Sequence, residues 1–257
     1  MKIEETLQQE AESTAASSGV AGGGFPLDRS SLLVAGRGLV PLAAFLPRSL
    51  ANGPGVRSVV WVQGCPFRCP GCFNPEFQEF TGGRPTPVAT LVHWIVARDD
   101  TEGVTLTGGE PFAHAAVLAA VAEGVQRAGK SVVIFTGYEQ GELLAAHEAG
   151  TRRLLASADL LIAGRYRADQ PCRQRWLASG NQELVFLTDR YRREETDGGR
   201  TRVEYRIARD GATTVTGFPA GREAIDGQTT HPERVPFQSP GSRSAPWGGK
   251  RENDDAP

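Results

Sequence analysis

The sequence lacks an excess of charge of either sign and lacks a long apolar run. Its 257 residues include 28 Lys and Arg and 30 Asp and Glu, a formal net charge of -2. A chain that binds nucleic acid or an anionic membrane surface through its overall charge is strongly basic, so we expect neither partner. No apolar stretch approaches the roughly 20 residues that span a bilayer. Residues 1–5 (MKIEE) are acidic, unlike the basic start of a signal peptide. We therefore expect a cytoplasmic protein.

Cysteine is scarce, with 4 residues in the chain. A disulfide framework is not expected, because the cytoplasm is reducing and a domain of this size does not need covalent staples. The spacing is more informative than the number. Cys65, Cys69 and Cys72 follow a Cys-x3-Cys-x2-Cys pattern, whereas Cys172 stands alone. A cluster this tight among so few cysteines indicates a shared ligand.

Composition divides the chain into four parts. Residues 1–30 are rich in Glu, Gln, Ser, Ala and Gly, and residues 218–257 are rich in Gly and Pro, so we predict a disordered leader and a disordered tail. Residues 31–200 are predicted to form the catalytic domain. Residues 201–217, with Asp210-Gly211 as the turn, are predicted to form an appended β-hairpin.

The catalytic domain alternates β-branched runs with helical patterns. Strands are predicted at 57–63, 103–107, 131–136, 159–163 and 183–188, and helices at 86–98, 112–128 and 139–149. The first helix is expected to be capped by Thr86, with Pro87 as its first residue. Such alternation predicts an α/β fold with a parallel sheet and right-handed crossovers, either doubly wound or part of a (β/α) barrel.

Unusual residues follow the strands of this predicted sheet. Because the loops after parallel strands leave at one edge, ligands of such folds bind there. The residues concerned are Gly64 and the three cysteines, then Gly108 to Pro111, then Gly137 and Tyr138, and finally Gly164, Arg165 and Tyr166. We expect these loops to form one site.

The cysteine triad favours an iron-sulfur cluster over zinc. A structural zinc site needs four ligands, and no fourth Cys or His lies nearby in sequence, although zinc stays open as an alternative. An electron-transfer cluster is normally bound by four thiolates. Three thiolates leave one iron of a four-iron cluster open to a substrate or cofactor. Gly108 and Gly109 allow close backbone approach, and Glu110 offers a carboxylate to an ammonium group.

Several motifs carry a resemblance to a known family. They are NGPGVR at 52–57, QGCPFRCPGCFNP at 63–75, TLTGGEPF at 105–112, FTGY at 135–138, DLLIAGRY at 159–166 and SGNQ at 179–182. Together they resemble the radical S-adenosylmethionine superfamily and its glycyl-radical activase branch, in particular the activating proteins of anaerobic ribonucleotide reductase. The likeness covers roughly residues 45–190. Asn52 and Ala163 stand where those activases usually have Asp.

The resemblance implies a shortened (β/α) partial barrel that holds one [4Fe-4S] cluster on Cys65, Cys69 and Cys72. The open iron would be chelated by the amino and carboxylate groups of S-adenosyl-L-methionine, which the cluster cleaves to a 5′-deoxyadenosyl radical. The residues implied to bind this cofactor are Gly108, Gly109 and Glu110 at its methionine end, and Thr136 and Tyr138 along its wall.

The resemblance also implies partners. One is a protein substrate that receives a glycyl radical, and the other is a low-potential electron donor such as flavodoxin or ferredoxin. Alternatives are a radical enzyme that modifies a peptide or small molecule, and a non-catalytic iron-sulfur or zinc module. Cys172 is interpreted as a small packing residue. The arginines between 165 and 175 are interpreted as a solvated run or a partner-docking surface, and among the helical histidines only His114 is placed near the site.

Overall fold

The computed structural model describes residues 38–192, 203–207 and 213–218. The predicted leader at 1–30 and all but the first residue of the predicted tail at 218–257 lie outside the described residues. The strands are β1 (Leu39–Ser49), β2 (Arg57–Val62), β3 (Arg84–Pro87), β4 (Gly103–Gly108), β5 (Ser131–Thr136), β6 (Leu160–Ala163), β7 (Glu183–Phe186), β8 (Val203–Ile207) and β9 (Thr213–Gly217). The α-helices are α1 (Val88–Val96), α2 (Ala115–Arg127), α3 (Gln140–Ala145) and α4 (Ala149–Ala156).

Seven strands form one mixed sheet in the order β3-β1-β2-β4-β5-β6-β7. The central strands β2, β4, β5 and β6 are parallel, while β1, β3 and β7 add antiparallel edges. Strands β8 and β9 pair separately as an antiparallel hairpin. The predicted α/β class, with a parallel centre of the sheet and an appended hairpin, is confirmed.

The two faces of the sheet have different coverings. The helices lie on one face, where side chains such as Val60, Leu106 and Ile134 pack against Leu118 of α2 and Leu154 of α4. On the other face, here called the inner face, Val133 and Ile162 pack against Trp176 and Leu177 from the loop before β7. Alternation along each strand produces this division, because neighbouring side chains point to opposite faces.

Strands β1 and β3 are not predicted from the sequence, and proline explains why. Pro41 and Pro47 lie in β1, and β3 reads Arg-Pro-Thr-Pro. Proline lacks a ladder donor and argues against a strand unless it lies on an edge or at a bulge. Here β3 is the edge of the sheet, and the register of β1 against β2 shifts between Leu46 and Ser49, around Pro47.

Two helix predictions are wrong in detail. Thr86 does not cap α1, because it belongs to β3 and its hydroxyl donates to the carbonyl of Arg84 at 3.0 Å. Pro87 is the N-cap, and the helix begins at Val88. The predicted helix at 139–149 ends at Ala145, since Ala146 is extended, and a second helix follows. This interruption lets α4 pack along α2, an outcome of tertiary packing that local periodicity does not show.

Arg57 links the amino-terminal ends of the parallel strands. Its guanidinium is fully buried and donates to Thr105 Oγ1 at 3.1 Å, to Tyr191 Oη at 2.6 Å and to Ser131 Oγ at 2.9 Å, as well as to backbone carbonyls. Burial lowers the pKa of Arg57 below its usual value. A buried charge is tolerated only when its donors are satisfied, so this residue fixes the loop before β2.

None of the helices in the described ranges is long and apolar enough to cross a membrane.

Candidate active site

One cavity lies at the carboxyl edge of the parallel strands and extends over the inner face of the sheet. It is lined by Cys65, Cys69 and Cys72, by residues 108–110, by Thr136 and by residues 215–218 of the hairpin. The loops that were expected to meet therefore share one cavity. Because β2, β4, β5 and β6 are parallel, their final residues all reach this edge.

The cysteine loop is held by the segment that follows it. The amide of Gly64 donates to the carbonyl of Phe77 at 2.8 Å, and the amide of Cys65 donates to the carbonyl of Gln78 at 2.9 Å. The side-chain amide of Gln63 donates to the carbonyls of Glu76 and Glu79 at 3.1 and 2.7 Å. The 3-10 turn at Pro75–Phe77 and the two residues after it present these acceptors, so the protein's own hydrogen bonds close the loop.

The donor set of this cavity fits an iron-sulfur cluster. Its thiols share one cavity, but no three or more His, Cys, Asp or Glu side chains in the described ranges converge as ligands of a single metal ion. The ligands of a four-iron cluster bind separate irons, and three thiols around one cavity suit such a cluster. Burial raises the pKa of Cys65 to about 12, and burial likewise raises the pKa of Cys69. A bound cation would favour the thiolate form of both.

Gly108 and Gly109 bring the end of β4 against the start of the cysteine loop. Gly108 has φ of 107°, and a Cβ there would lie 2.5 Å from the amide nitrogen of Val62. A Cβ on Gly109 would lie 2.3 Å from the carbonyl oxygen of Gly64. The amides of Gly109 and Glu110 donate to the carbonyls of Val62 and Gly64 at 2.7 and 2.8 Å. Glycine is required here by the protein's own backbone, and this close approach positions the cysteines.

Glu110 connects the ends of β4 and β5. Its carboxylate is buried and accepts hydrogen bonds from Thr136 Oγ1 and the Phe112 amide at Oε1, at 2.8 and 2.9 Å, and from the Gly137 amide at Oε2, at 2.7 Å. A carboxylate accepts about four hydrogen bonds, so Oε2 keeps one acceptor position for a ligand. Burial raises the pKa of Glu110 to about 7, partly offset by these donors.

Thr136 and Tyr138 differ in their relation to the cavity. Thr136 lines it directly. Tyr138 packs edge-on against Phe67, with ring centroids 4.6 Å apart, and Phe67 rather than Tyr138 contributes to the lining. The Arg165 guanidinium lies 4.6 Å from the centroid of the Phe67 ring. Tyr138 and Arg165 therefore both contact Phe67, through an aromatic and a cation–π interaction that help to fix this wall.

Three other residues that were considered from the sequence lie outside the lining of the cavity. His114 is buried with Nε2 2.7 Å from the carbonyl oxygen of Gln63, and it does not line the cavity. Cys172 packs near Trp176 in the core of the inner face, also outside the cavity lining. Arg167 is paired with Asp169 at 2.9 Å.

Sequence reasoning missed part of the cavity wall. Asn52, Phe135 and Phe218 line the cavity, and Gln182 supports it by donating to the carbonyl of Gly164 at 2.8 Å. The side-chain oxygen of Gln182 accepts from the amides of Ala178 and Ser179. The strand-end rule finds Phe135, which directly precedes Thr136. No sequence signal places the hairpin residue Phe218 against it.

Comparison with known proteins identifies the family. Residues 51–185, more than half of the chain, match the family described as 4Fe-4S single cluster domain. The anaerobic ribonucleoside-triphosphate reductase-activating protein of Pasteurella multocida is 32% identical over 154 residues, which cover 56% of this chain and 96% of that protein. This chain belongs to the radical S-adenosylmethionine activases of the 4Fe-4S single cluster domain family. The family and enzyme class predicted from the motifs are confirmed.

Further relatives of this chain have the same name. The anaerobic ribonucleoside-triphosphate reductase-activating protein of Escherichia coli K12 is 30% identical over 153 residues, covering 56% of this chain and 96% of that protein. The one from enterobacteria phage T4 is 28% identical over 149 residues, covering 56% and 92%. Among solved structures, QueE from Escherichia coli aligns with 43% of this chain and 58% of its own at 19% identity and a TM-score of 0.33, which is too low for an inference.

Proposed function

We propose that this activase holds one [4Fe-4S] cluster on Cys65, Cys69 and Cys72, binds S-adenosyl-L-methionine beside it, and forms a glycyl radical on a partner protein. The observation that carries the proposal is that these thiols and residues 108–110 line one cavity in a member of this family. When bound on these thiols and beside residues 108–110, the cluster and S-adenosyl-L-methionine would supply one-electron reductive cleavage of the sulfonium, with the electron from a low-potential donor, and hydrogen-atom abstraction from a glycine of the partner.

The protein's own groups would position the cofactor. The free acceptor position of Glu110 Oε2 suits an ammonium group, since a buried carboxylate pairs strongly with a cation. Thr136 and the Gly137 amide fix that carboxylate in place. The polar groups that would meet the methionine end are thus held before binding, so less freedom is lost on association.

The charge of the cavity supports a protein substrate over a phosphorylated one. Glu110 is the single Asp, Glu, Lys or Arg side chain among the described residues that line the cavity. A phosphate or nucleotide anion needs cationic or amide donors, whereas an uncharged main-chain segment does not. A glycine segment of a partner protein therefore fits better than an anionic small molecule. The activating relatives, named for a ribonucleoside-triphosphate reductase, agree with this choice.

The proposal is tested by anaerobic assay of reconstituted, reduced protein. We expect S-adenosyl-L-methionine to be converted to 5′-deoxyadenosine and methionine, and a glycyl radical to appear by electron paramagnetic resonance when the glycyl-radical protein of the same organism is added. Cofactor cleavage with no radical on that protein would leave the radical chemistry intact and exclude the activase role. Absence of both would exclude the proposed function.

The loop after β6 supplies a test of partner docking. Arg167 pairs with Asp169, and its side chain is 53% exposed next to Tyr166, which lines the cavity. If it contacts an acidic partner surface, Arg167→Glu should slow glycyl-radical formation several-fold at low salt, and the defect should shrink as salt screens the contact.

Arg98→Glu is the matched control for this substitution. Arg98 also pairs with an aspartate two residues later, Asp100, at 2.9 Å, but it lies beyond the end of α1, away from the cavity. We expect this variant to modify the partner at the wild-type rate. A salt-independent loss in Arg167→Glu, or equal losses in both variants, would argue against docking through this loop.

A further inference from the structure

The β8–β9 hairpin contributes to the cavity although it lies after the family-matched region 51–185. Residues 215–218 line the cavity together with Trp61 on the inner face of the sheet. The Phe218 ring stacks on Phe135, with centroids 5.2 Å apart and an interplanar angle of 21°. The hairpin therefore covers part of the inner face of the sheet.

A network of hydrogen bonds attaches the hairpin to the end of β1. Glu204 Oε2 accepts from Ser49 Oγ at 2.8 Å and from the Leu50 amide at 3.1 Å. Asn52 Nδ2 donates to Thr216 Oγ1 and to Ser49 Oγ, both at 2.9 Å. Ser49 and Asn52 are buried. Buried bonds of this kind are costly to leave unmade, so the network sets where the hairpin sits.

The number of protons available in this network determines whether the side chain at position 52 must donate or accept a hydrogen bond. The hydroxyl of Ser49 has one hydrogen, which it gives to Glu204, because a carboxylate only accepts. Ser49 Oγ then accepts from the Ala51 amide at 3.1 Å and from Asn52 Nδ2, which uses both of its lone pairs. Position 52 must therefore donate. An aspartate at position 52 would place a carboxylate oxygen, which can only accept, against Ser49 Oγ, whose single proton is already donated to Glu204. It would also add a second negative charge close to the Glu204 carboxylate.

We infer that the β8–β9 hairpin is the substrate-facing wall of the cavity, and that Ser49, Asn52 and Glu204 form a latch that positions it. The wall presents Val215, Thr216 and Phe218, so it offers no charge to an incoming group. The wall narrows the opening of the cavity and selects a slender, uncharged protein segment over a charged one. The role in selecting a substrate rests on the proposed function, whereas the latch does not.

The latch is tested by hydrogen exchange of the full-length protein, followed in peptides that contain residues 213–217. Asn52→Asp and Glu204→Ala should each speed exchange there by about tenfold, the effect of losing a buried hydrogen bond on local opening. The double variant should exchange no faster than Glu204→Ala alone, because the Ser49 proton is then free for an aspartate at position 52. Effects that multiply in the double variant would overturn the proton assignment.

Ile207→Thr is the matched control within the hairpin. Ile207 is 76% exposed and lies outside the cavity lining, and threonine keeps a β-branched side chain in the strand. Exchange at residues 213–217 should match the wild type. Equal acceleration by this substitution would mean that any change in the hairpin loosens it, and the latch would be rejected.

The wall is tested by access to the cluster in the reconstituted holoenzyme. Phe218→Ala removes the ring stacked on Phe135, so EDTA should remove iron several-fold faster, and fewer glycyl radicals should form per 5′-deoxyadenosine released. Ile207→Thr should change neither quantity. Unchanged iron loss and unchanged coupling in Phe218→Ala would reject the wall. If the wild-type protein binds no cluster, the proposed function fails, and the exchange experiment still decides the latch.

Discussion

Replacing Cys65 with serine should leave anaerobically reconstituted protein with almost no bound iron and no iron-sulfur absorption, whereas we expect the wild type to carry about four irons per chain. Each of Cys65, Cys69 and Cys72 lines the cavity, and no other thiol does so among the described residues. With three ligands for a cluster, no spare thiol replaces a missing one. The same result is expected for serine at position 69 or 72.

Cys172→Ser is the control for this prediction. Cys172 lies beside Trp176 in the inner-face core, away from the cavity. We expect the variant to keep the full iron content, measured by metal analysis and by absorption. Iron lost from Cys172→Ser would show that the cluster uses a ligand other than the triad. Stoichiometric zinc without iron in the anaerobically purified wild type would exclude a cluster at this site.

Replacing Glu110 with alanine should weaken binding of S-adenosyl-L-methionine by one to two decades. A charge-assisted hydrogen bond from the cofactor ammonium is worth about 1.5 to 3 kcal/mol. Loss of the carboxylate also leaves Thr136 Oγ1 and the amides of Phe112 and Gly137 without their acceptor. Each buried donor left without a partner costs about 1 to 3 kcal/mol, so thermal stability should fall as well.

Two comparisons separate binding from structure in the Glu110 experiment. Glu79→Ala removes an exposed carboxylate that pairs with Arg68 near the cysteine loop, and such pairs contribute little, so affinity and stability should stay at the wild-type level. Cofactor affinity is measured by equilibrium dialysis at a temperature where Glu110→Ala is fully folded. Wild-type affinity in that folded variant would show that Glu110 only connects β4 to β5 and does not bind the cofactor.

The sequence alone was sufficient for the parallel centre of the sheet and for the residues at its carboxyl edge. Buried apolar runs define β2, β4, β5 and β6, and every loop that follows them must leave on the same side. The cysteine spacing indicated a shared ligand, and the longer motifs around it and around residues 108–110 carried the resemblance to the family. Those predictions depend on local pattern and on a general rule of topology.

The tertiary structure decided the features that depend on residues far apart in the chain. Proline hid β1 and β3 from a local analysis, and pairing with β2 supplies the ladder bonds that make β1 a strand. Glu110 is expected from its motif, but only the fold shows that Thr136 and Gly137 hold its carboxylate. The hairpin wall depends on bonds between Asn52 and Thr216, 164 residues apart. Local propensity contains no information on such contacts, because they form only when packing brings the two segments together.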